Sequence, residues 1–470
     1  MSYIFNISWY TKKIMEQLLR KTIGIWGYGV VGKSAARYLQ SFAQNISIFD
    51  HKQFSAEQAA QLQQENMRIY QPRELELFLQ AHEYIVPSPG IDLIPYQEYA
   101  HKFIAEFDLF ADAWKKPIIA LTGTVGKTSI TSLLSQLLVA AHKQVATGGN
   151  IGTGMLDLLT QQEAADCALL ELSSFQLELC KTAAPDLAVI TNLFPNHLDR
   201  HGSFENYCAA KYKIFAQQTA QQQALVPLEL LSSVRAHFPH KAFHFFSATP
   251  PTQEQRAQLS AQERCYYLDQ QTIYGYRDGQ QHIIAQLTEQ HISYPQNWLI
   301  IYAVLDLLNI PTEIVTAALP TLNIPDHRLA CIAQHAGISF YNDSKATVPE
   351  AMLAAVKKLD GSPIVLFLGG VSKGVDRRAA LAQLRTMSVK HVICFGKEAE
   401  QLQAACAENM IPASAHENLE TAFTYCMQQI AQSGDQVLFS PAGASFDLFS
   451  HYQERGDVFK KMVQAYILQP

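Results

Sequence analysis

Short, unbroken apolar runs recur along the chain, and several stop at glycine before a helical pattern begins. Thr22–Trp26 runs into Gly27-Tyr28-Gly29, and Pro117–Leu121 runs into Thr122-Gly123. Ile364–Leu368 ends at Gly369-Gly370, and His391–Phe395 ends at Gly396. Ile46–Phe49, Tyr84–Val86, Ala168–Glu171, Leu187–Ile190 and Gln436–Phe439 are runs of the same kind. A run that is apolar at every position has no solvent-facing side, which predicts strands of parallel sheets covered by helices on both faces. Lys33–Gln40 and Ser129–Ala141 read as helices. The runs form three clusters, so the fold class is α/β with three domains, 1–107, 108–323 and 324–470. The first and last are expected to be Rossmann-like, and the central one, whose run Pro117–Leu121 enters Thr122-Gly123-Thr124-Val125-Gly126-Lys127-Thr128, a P-loop ATPase-type domain. The breaks are placed at 107–116 and at Asn323-Ile324-Pro325. From about 225 to 295 the sequence is polar and irregular, which fits either further strands or a variable insertion and carries no chemistry.

Composition narrows the function. The 470 residues fit about three domains of roughly 150 residues each. A hydrophobic fraction of 48% gives each of them a core. The formal net charge of −6 argues against a general nucleic-acid binder, which needs a basic surplus. The 8 cysteines form no C-x-x-C pair, so reduced, buried thiols are expected and neither a disulfide framework nor a zinc knuckle. No apolar run approaches the roughly 20 residues that span a bilayer. The first 21 residues lack an apolar core followed by a small-residue cleavage site, unlike a secretory signal. A soluble cytoplasmic protein without a membrane span is expected.

Two glycine loops carry the candidate chemistry. Gly27-Tyr28-Gly29-Val30-Val31-Gly32 fits G-x-G-x-x-G between a strand and a helix, and Asp50 ends the next strand. Such a loop lets backbone approach a diphosphate, and the acid can hold a ribose. A dinucleotide, another nucleotide diphosphate and a merely tight strand–helix turn all fit it. Ser88-Pro89-Gly90, after Tyr84–Val86, is expected to form a second wall of the same cleft. The stronger loop is Thr122-Gly123-Thr124-Val125-Gly126-Lys127-Thr128, followed by Ser129. Its N–H groups can face phosphate oxygens, Lys127 can neutralise β/γ charge, and the Thr128 hydroxyl can ligate Mg²⁺. The spacing is shorter than in the general P-loop, whose first glycine would fall at Leu121. Glu171 closes one strand, and His197 follows another in Asn192-Leu193-Phe194-Pro195-Asn196-His197. In a parallel sheet both lie at the carboxyl edge, with the phosphate loop.

These residues resemble the Mur ligase family, the ATP-dependent amide-bond ligases of peptidoglycan precursor synthesis. TGTVGKTS, GGNIGTG (148–154), ELSSFQLE (171–178), TNLFPNHLDRH (191–201) and AAKYKIF (209–215) match its central domain in order. HRLA (327–330), NDSKAT (342–347), LGGVSKG (368–374), SPAGASFDLF (440–449) and ERG (454–456) match its C-terminal domain, most like the D-glutamate-adding branch. The resemblance implies that ATP phosphorylates the carboxylate of UDP-N-acetylmuramoyl-L-alanine and that the amine of D-glutamate then attacks the acyl phosphate. It implies Lys127, His197 and Lys211 as catalytic residues. Gly123, Thr124, Gly126, Lys127, Thr128, Ser129, Asn297, Arg328 and Asp343 would bind ATP. Gly27, Tyr28, Gly29, Asp50, Ser88, Gly90, Asn150 and Ser173 would bind the UDP substrate, making the first domain UDP-binding rather than an NAD site. Lys345, Thr347, Lys373 and Ser445 would bind D-glutamate, a dicarboxylate suited to cations and hydroxyls. Thr128, Glu171, His197 and Lys211 would hold Mg²⁺, with Lys211 carbamylated by CO₂. Partners are expected to be small molecules only, with the protein a monomer.

Four positions depart from the family pattern. Val125 and Val348 stand where the family has Asn, Asn196 where it has Asp before the metal histidine, and Ile300 where it has the second Asn of HNxxN. Each removes a polar or charged group near the implied nucleotide or metal. A folate-type polyglutamate ligase and a non-catalytic nucleotide-binding scaffold are the competing readings, and an NAD dehydrogenase is a third.

Overall fold

The computed structural model describes residues 18–43, 45–291 and 294–468. The N-terminal signal question falls on residues 1–17, outside the described chain. The strands are β1 (Thr22–Trp26), β2 (Asn45–Phe49), β3 (Arg68–Tyr70), β4 (Tyr84–Pro87), β5 (Ile118–Thr122), β6 (Val145–Gly149), β7 (Cys167–Glu171), β8 (Leu187–Ile190), β9 (Gln223–Pro227), β10 (His244–Ser247), β11 (Cys265–Asp269), β12 (Thr272–Arg277), β13 (Gln280–Gln286), β14 (Ala330–His335), β15 (Ile338–Asn342), β16 (Ile364–Gly369), β17 (Val389–Phe395), β18 (Ala413–His416) and β19 (Gln436–Phe439). They form three sheets, as the three sequence clusters predict. The first is parallel, in the order β3-β2-β1-β4. The second runs β13-β12-β11-β10-β9-β8-β5-β7-β6, parallel except where β12 and β13 turn back antiparallel at one edge. The third runs β14-β15-β19-β16-β17-β18, parallel except for β14.

The chain divides into two compact units, residues 1–193 with 208–323, and residues 194–207 with 324–470. The first unit holds the first two sheets and the second unit the third. The stretch 107–116, where the sequence places a break, is largely a helix, Glu106–Ala113, with Phe107, Leu109 and Phe110 buried. The irregular stretch 225–295 supplies strands β9 to β13, extending the second sheet. The sequence obscures them because β13 is exposed or half-exposed throughout and β12 alternates, so neither shows a continuous apolar run.

The helix Lys127–Ala140 shows why the central layer holds. Ile130, Leu133, Leu134, Leu137 and Leu138 recur at helical spacing and all are buried. Burial of each is worth about 2 kcal/mol. Helix Pro295–Leu307 packs against it and is buried nearly all round, with Trp298 fully enclosed. Ile300, the departure from the family's asparagine, is one of these core residues. All 8 cysteines are free thiols, and most are buried, as expected. Among the described residues, no helix is long and apolar enough to cross a membrane.

Candidate active site

Parallel pairing sets the site of the first unit. Leu121 lies opposite Glu171 across β5 and β7, and Thr122 opposite Ile190 across β5 and β8. The carboxyl ends of these strands therefore finish together, and the loop 122–128 leaves from that edge. Gly126 holds φ +84°, a left-handed conformation that glycine adopts without steric cost, and caps the helix Lys127–Ala140. A Cβ there would come within 2.8 Å of Asn297 Oδ1, which places Asn297 directly beside the loop. At Gly123 a Cβ would lie 2.0 Å from Thr191 Oγ1, so only glycine fits.

Lys127 Nζ donates to Gly123 O at 2.8 Å and Thr124 O at 3.1 Å, folding back over its own loop. Lys211, on helix Phe204–Ala216, is fully buried and donates to Gly123 O at 2.9 Å and Thr122 Oγ1 at 3.1 Å. Burial and then the charge of Lys127 push its amine well below the ordinary lysine range, while Glu171 pulls the other way. The two lysines thus meet on one carbonyl. Glu171 is buried at 1% exposure, its Oε1 accepts from Asn150 Nδ2 at 2.9 Å, and its Oε2 has no hydrogen-bond partner. An enclosed carboxylate oxygen with nothing to pair it is costly unless a cation or donor arrives. Thr128 and Ser129 are buried in the first turn of the helix. The Ser173 hydroxyl caps the short helix Ser174–Leu177 by accepting from Gln176 N at 3.1 Å.

Asn192 is a functional residue with no signal of its own in the sequence. Its Oδ1 accepts from Val125 N at 2.9 Å and Thr124 N at 3.2 Å, and its Nδ2 donates to Val125 O at 3.1 Å. Thr191 Oγ1 also donates to Val125 O, at 2.8 Å. Asn192 therefore fixes the loop backbone where Val125 offers no polar side chain. It was visible within TNLFPNH but reads there only as a spacer before His197. Asn192→Ala removes three hydrogen bonds, each worth about 1 kcal/mol. The expected outcome is a KM for nucleotide raised about tenfold, with melting lowered by a few degrees; steady-state kinetics and thermal unfolding check it.

At the first glycine loop, Gly27 N donates to Phe49 O at 2.7 Å and Ser88 Oγ donates to Gly27 O at 3.1 Å. Asp50 does not stand apart from this loop. It accepts from Tyr28 N at 2.7 Å and Lys52 N at 2.8 Å and so braces the turn. Gly29 and Gly90 have open space where a side chain would be. From the following helix, Val30–Gln40, Arg37 makes a paired bond to Asp157, at 2.8 and 2.6 Å, and Ser34 Oγ accepts from Asp157 N at 3.0 Å. That pins the helix to the segment downstream of Asn150.

The second unit gathers the remaining candidates. His197 holds φ 54° and caps the short helix Leu198–His201; Asn196 Oδ1 accepts from His197 N at 3.0 Å. Asp343 is buried, accepts from Ser440 Oγ at 2.8 Å and Leu329 N at 3.1 Å, and is pushed up to about 7 by burial, against Ser440 and the Arg328 charge. Lys345 Nζ lies 3.9 Å over the ring of Tyr452. Ala442 N donates to Ala346 O at 2.9 Å, tying the loop of Lys345 and Thr347 to the loop of Ser445. His327, Leu329, Lys373 and Ala442 all hold left-handed φ, an arrangement that persists only where surrounding contacts enforce it. Val348 is a buried helix-capping residue before Pro349–Leu359.

The chain is similar to known proteins over most of its length. Residues 121–293 match the Mur ligase middle domain, and residues 327–443 the Mur ligase glutamate ligase domain. The UDP-N-acetylmuramoylalanine–D-glutamate ligase of Desulfotalea psychrophila is 33% identical over 456 residues, covering 94% of this chain and 95% of that one. The enzyme of that name from Caldanaerobacter subterraneus is 30% identical over 463 residues, covering 95% and 99%. Among solved structures, MurF from Acinetobacter baumannii superposes with a TM-score of 0.57 at 15% identity, covering 93% of each chain. The UDP-N-acetylmuramate–alanine ligase MurC from Thermotoga maritima gives a TM-score of 0.54 at 16% identity, covering 95% and 100%. At such identities these structures speak for the fold alone.

Proposed function

The chain belongs to the Mur ligase family, and from that premise we propose that it joins D-glutamate to UDP-N-acetylmuramoyl-L-alanine, driven by ATP, in peptidoglycan precursor synthesis. What carries the chemical reading is the meeting of Lys127 and Lys211 on the Gly123 carbonyl, at the sheet edge where Glu171 ends β7.

The acceptor carboxylate must attack the γ-phosphorus although both are anionic. ADP leaves, the amine of D-glutamate attacks the acyl carbon, and phosphate departs with one former carboxylate oxygen. Preorganised positive charge where negative charge accumulates is the main aid such a reaction can receive. Lys127 supplies it by turning from the Gly123 and Thr124 carbonyls to the phosphates. Asn192 occupies the N–H groups of Thr124 and Val125, so phosphate oxygens are met by the helix start at Gly126 to Ser129, beside Asn297. The unpartnered Oε2 of Glu171 and the buried Thr128 hydroxyl suit magnesium. Bound there, magnesium would offset the charge between phosphates and carboxylate, and His197 and carbamylated Lys211 are each proposed as a further metal ligand. Full burial of the Lys211 amine favours its neutral form, the form that adds CO₂.

Gly27, Tyr28, Gly29, Asp50, Ser88 and Gly90 hold the uridine diphosphate, and Asn150 and Ser173 the muramoyl part. In the second unit Arg328 and Asp343 serve the nucleotide, and Lys345, Thr347, Lys373 and Ser445 serve D-glutamate. The protein acts in the cytoplasm, as a monomer. The test is a phosphate-release assay with ATP, Mg²⁺, the UDP-muramoyl-alanine acceptor and a panel of amino acids. Release that depends on D-glutamate is expected; preference for L-alanine or a diamino acid would assign another reaction of the family, and release with a pterin acceptor instead would assign a folate-type ligase.

A further inference from the structure

Arg455, on helix Tyr452–Ile467, is fully buried, yet the proposed chemistry gives it no role. Its guanidinium reaches three loops. Nη2 donates to Ser344 O at 2.7 Å, Nε to Ser344 Oγ at 3.1 Å, and Nη1 to Gly443 O at 2.9 Å. A Cβ on Gly370 would lie 2.9 Å from Nη1 and 2.2 Å from Ala444 O, so the third loop packs directly on the same group. Val371 and Ala444 exchange backbone bonds at 2.8 and 2.9 Å, joining the second and third loops. One residue on from Ser344 stands Lys345, and two on from Gly443 stands Ser445. Lys373 follows Gly370 in the third loop.

Burying a guanidinium is expensive, and it is tolerated when its donors are satisfied. Here they are spent on backbone carbonyls and one hydroxyl, none of which is an acid. Asp343 and Asp447 hold the charge from farther off, and burial pushes the group down to about 9, still charged at neutral pH. Lys373 and Ala442 stand in left-handed conformations within these loops. Such backbone needs an outside brace, and a planar fork pointing in three directions supplies it.

We propose that Arg455 is a positioning residue for the amino-acid substrate: it locks the three loops so that Lys345, Ser445 and Lys373 present their polar groups together. The proposal rests on the D-glutamate reading above. Lysine in its place keeps the charge, but its donors radiate from one nitrogen and cannot span the Ser344 and Gly443 acceptors while packing against Gly370 as the planar fork does. Arg455→Lys should raise KM for D-glutamate at least tenfold while KM for ATP and for the acceptor stays within about twofold. Ser344→Ala removes the Nε acceptor together with the bond that Ser344 Oγ donates to Tyr452 O at 2.8 Å, and should raise the D-glutamate KM about threefold, with melting lowered by a few degrees at most. A D-glutamate KM unchanged in folded Arg455→Lys, or a rise shared equally by all three substrates, overturns the proposal. Should Arg455→Lys fail to fold, Ser344→Ala decides by the same split. If the wild-type enzyme prefers a different amino acid, the D-glutamate reading fails, and the split is then measured on that amino acid.

Discussion

Replacing Lys127 by methionine should lower kcat for phosphate release by about a thousandfold or more and leave the protein folded. The side chain's bonds to its own loop are modest, to Gly123 O and Thr124 O at 2.8 and 3.1 Å. Their loss costs about 1 kcal/mol each, and the methionine stem keeps the packing. The large effect is kinetic. A carboxylate attacking a triphosphate builds charge at one place, and removal of one preorganised donor from such a site costs about 100- to 1000-fold, with a full cation costing more. Nucleotide binding should weaken far less, because the backbone of the loop is held by Asn192 and Thr191. Stopped assays with a melting curve on the same sample check both halves. A Lys127→Met enzyme within tenfold of wild type would place the phosphates elsewhere.

Lys211→Ala should be as damaging, with a distinct signature. If the working form is the carbamate, the missing group is an anion, and a short carboxylate diffusing into the cavity can replace it. Formate or acetate should restore activity at least tenfold over the crippled level, while methylammonium should not. The reverse pattern would show that the cation is what matters. The buried amine lies where a charge is poorly solvated, with Lys127 bonded to the same carbonyl. In the unmodified state it steadies the loop through Thr122 and Gly123, so some loss of stability accompanies the substitution.

Strands with both faces covered were the legible part of the fold: Thr22–Trp26, Ile118–Thr122 and Ile364–Gly369 coincide closely with apolar runs. Glycines that end such runs marked the loops, because a backbone turning sharply from strand to helix at close approach needs them. Strands of the edge hairpin, β12 and β13, were hidden because exposure mixes polar residues into them. The stretch where the sequence places the first break is largely the helix Glu106–Ala113, whose acids Glu106, Asp108 and Asp112 are buried. Asp108 is there to cap a loop, accepting from Lys181, Thr182 and Ala183 N–H groups at 2.8 to 2.9 Å. Single residues that hold backbone, such as Asn192 and Arg455, leave no periodic trace. Their roles depend on carbonyls and amides that only the folded chain brings near. Glu171 and Lys127 were recognisable because a carboxylate at a strand end and a lysine after Gly126 follow from the local pattern alone.

The most direct measurement follows an oxygen atom. The acceptor is prepared with both oxygens of its alanyl carboxylate as ¹⁸O and turned over with unlabelled ATP and D-glutamate, and the released phosphate is weighed by mass spectrometry. Attack of that carboxylate on the γ-phosphorus, followed by collapse to the amide, requires one ¹⁸O in each phosphate. Phosphate carrying no label, with amide formation undiminished, would contradict activation through an acyl phosphate.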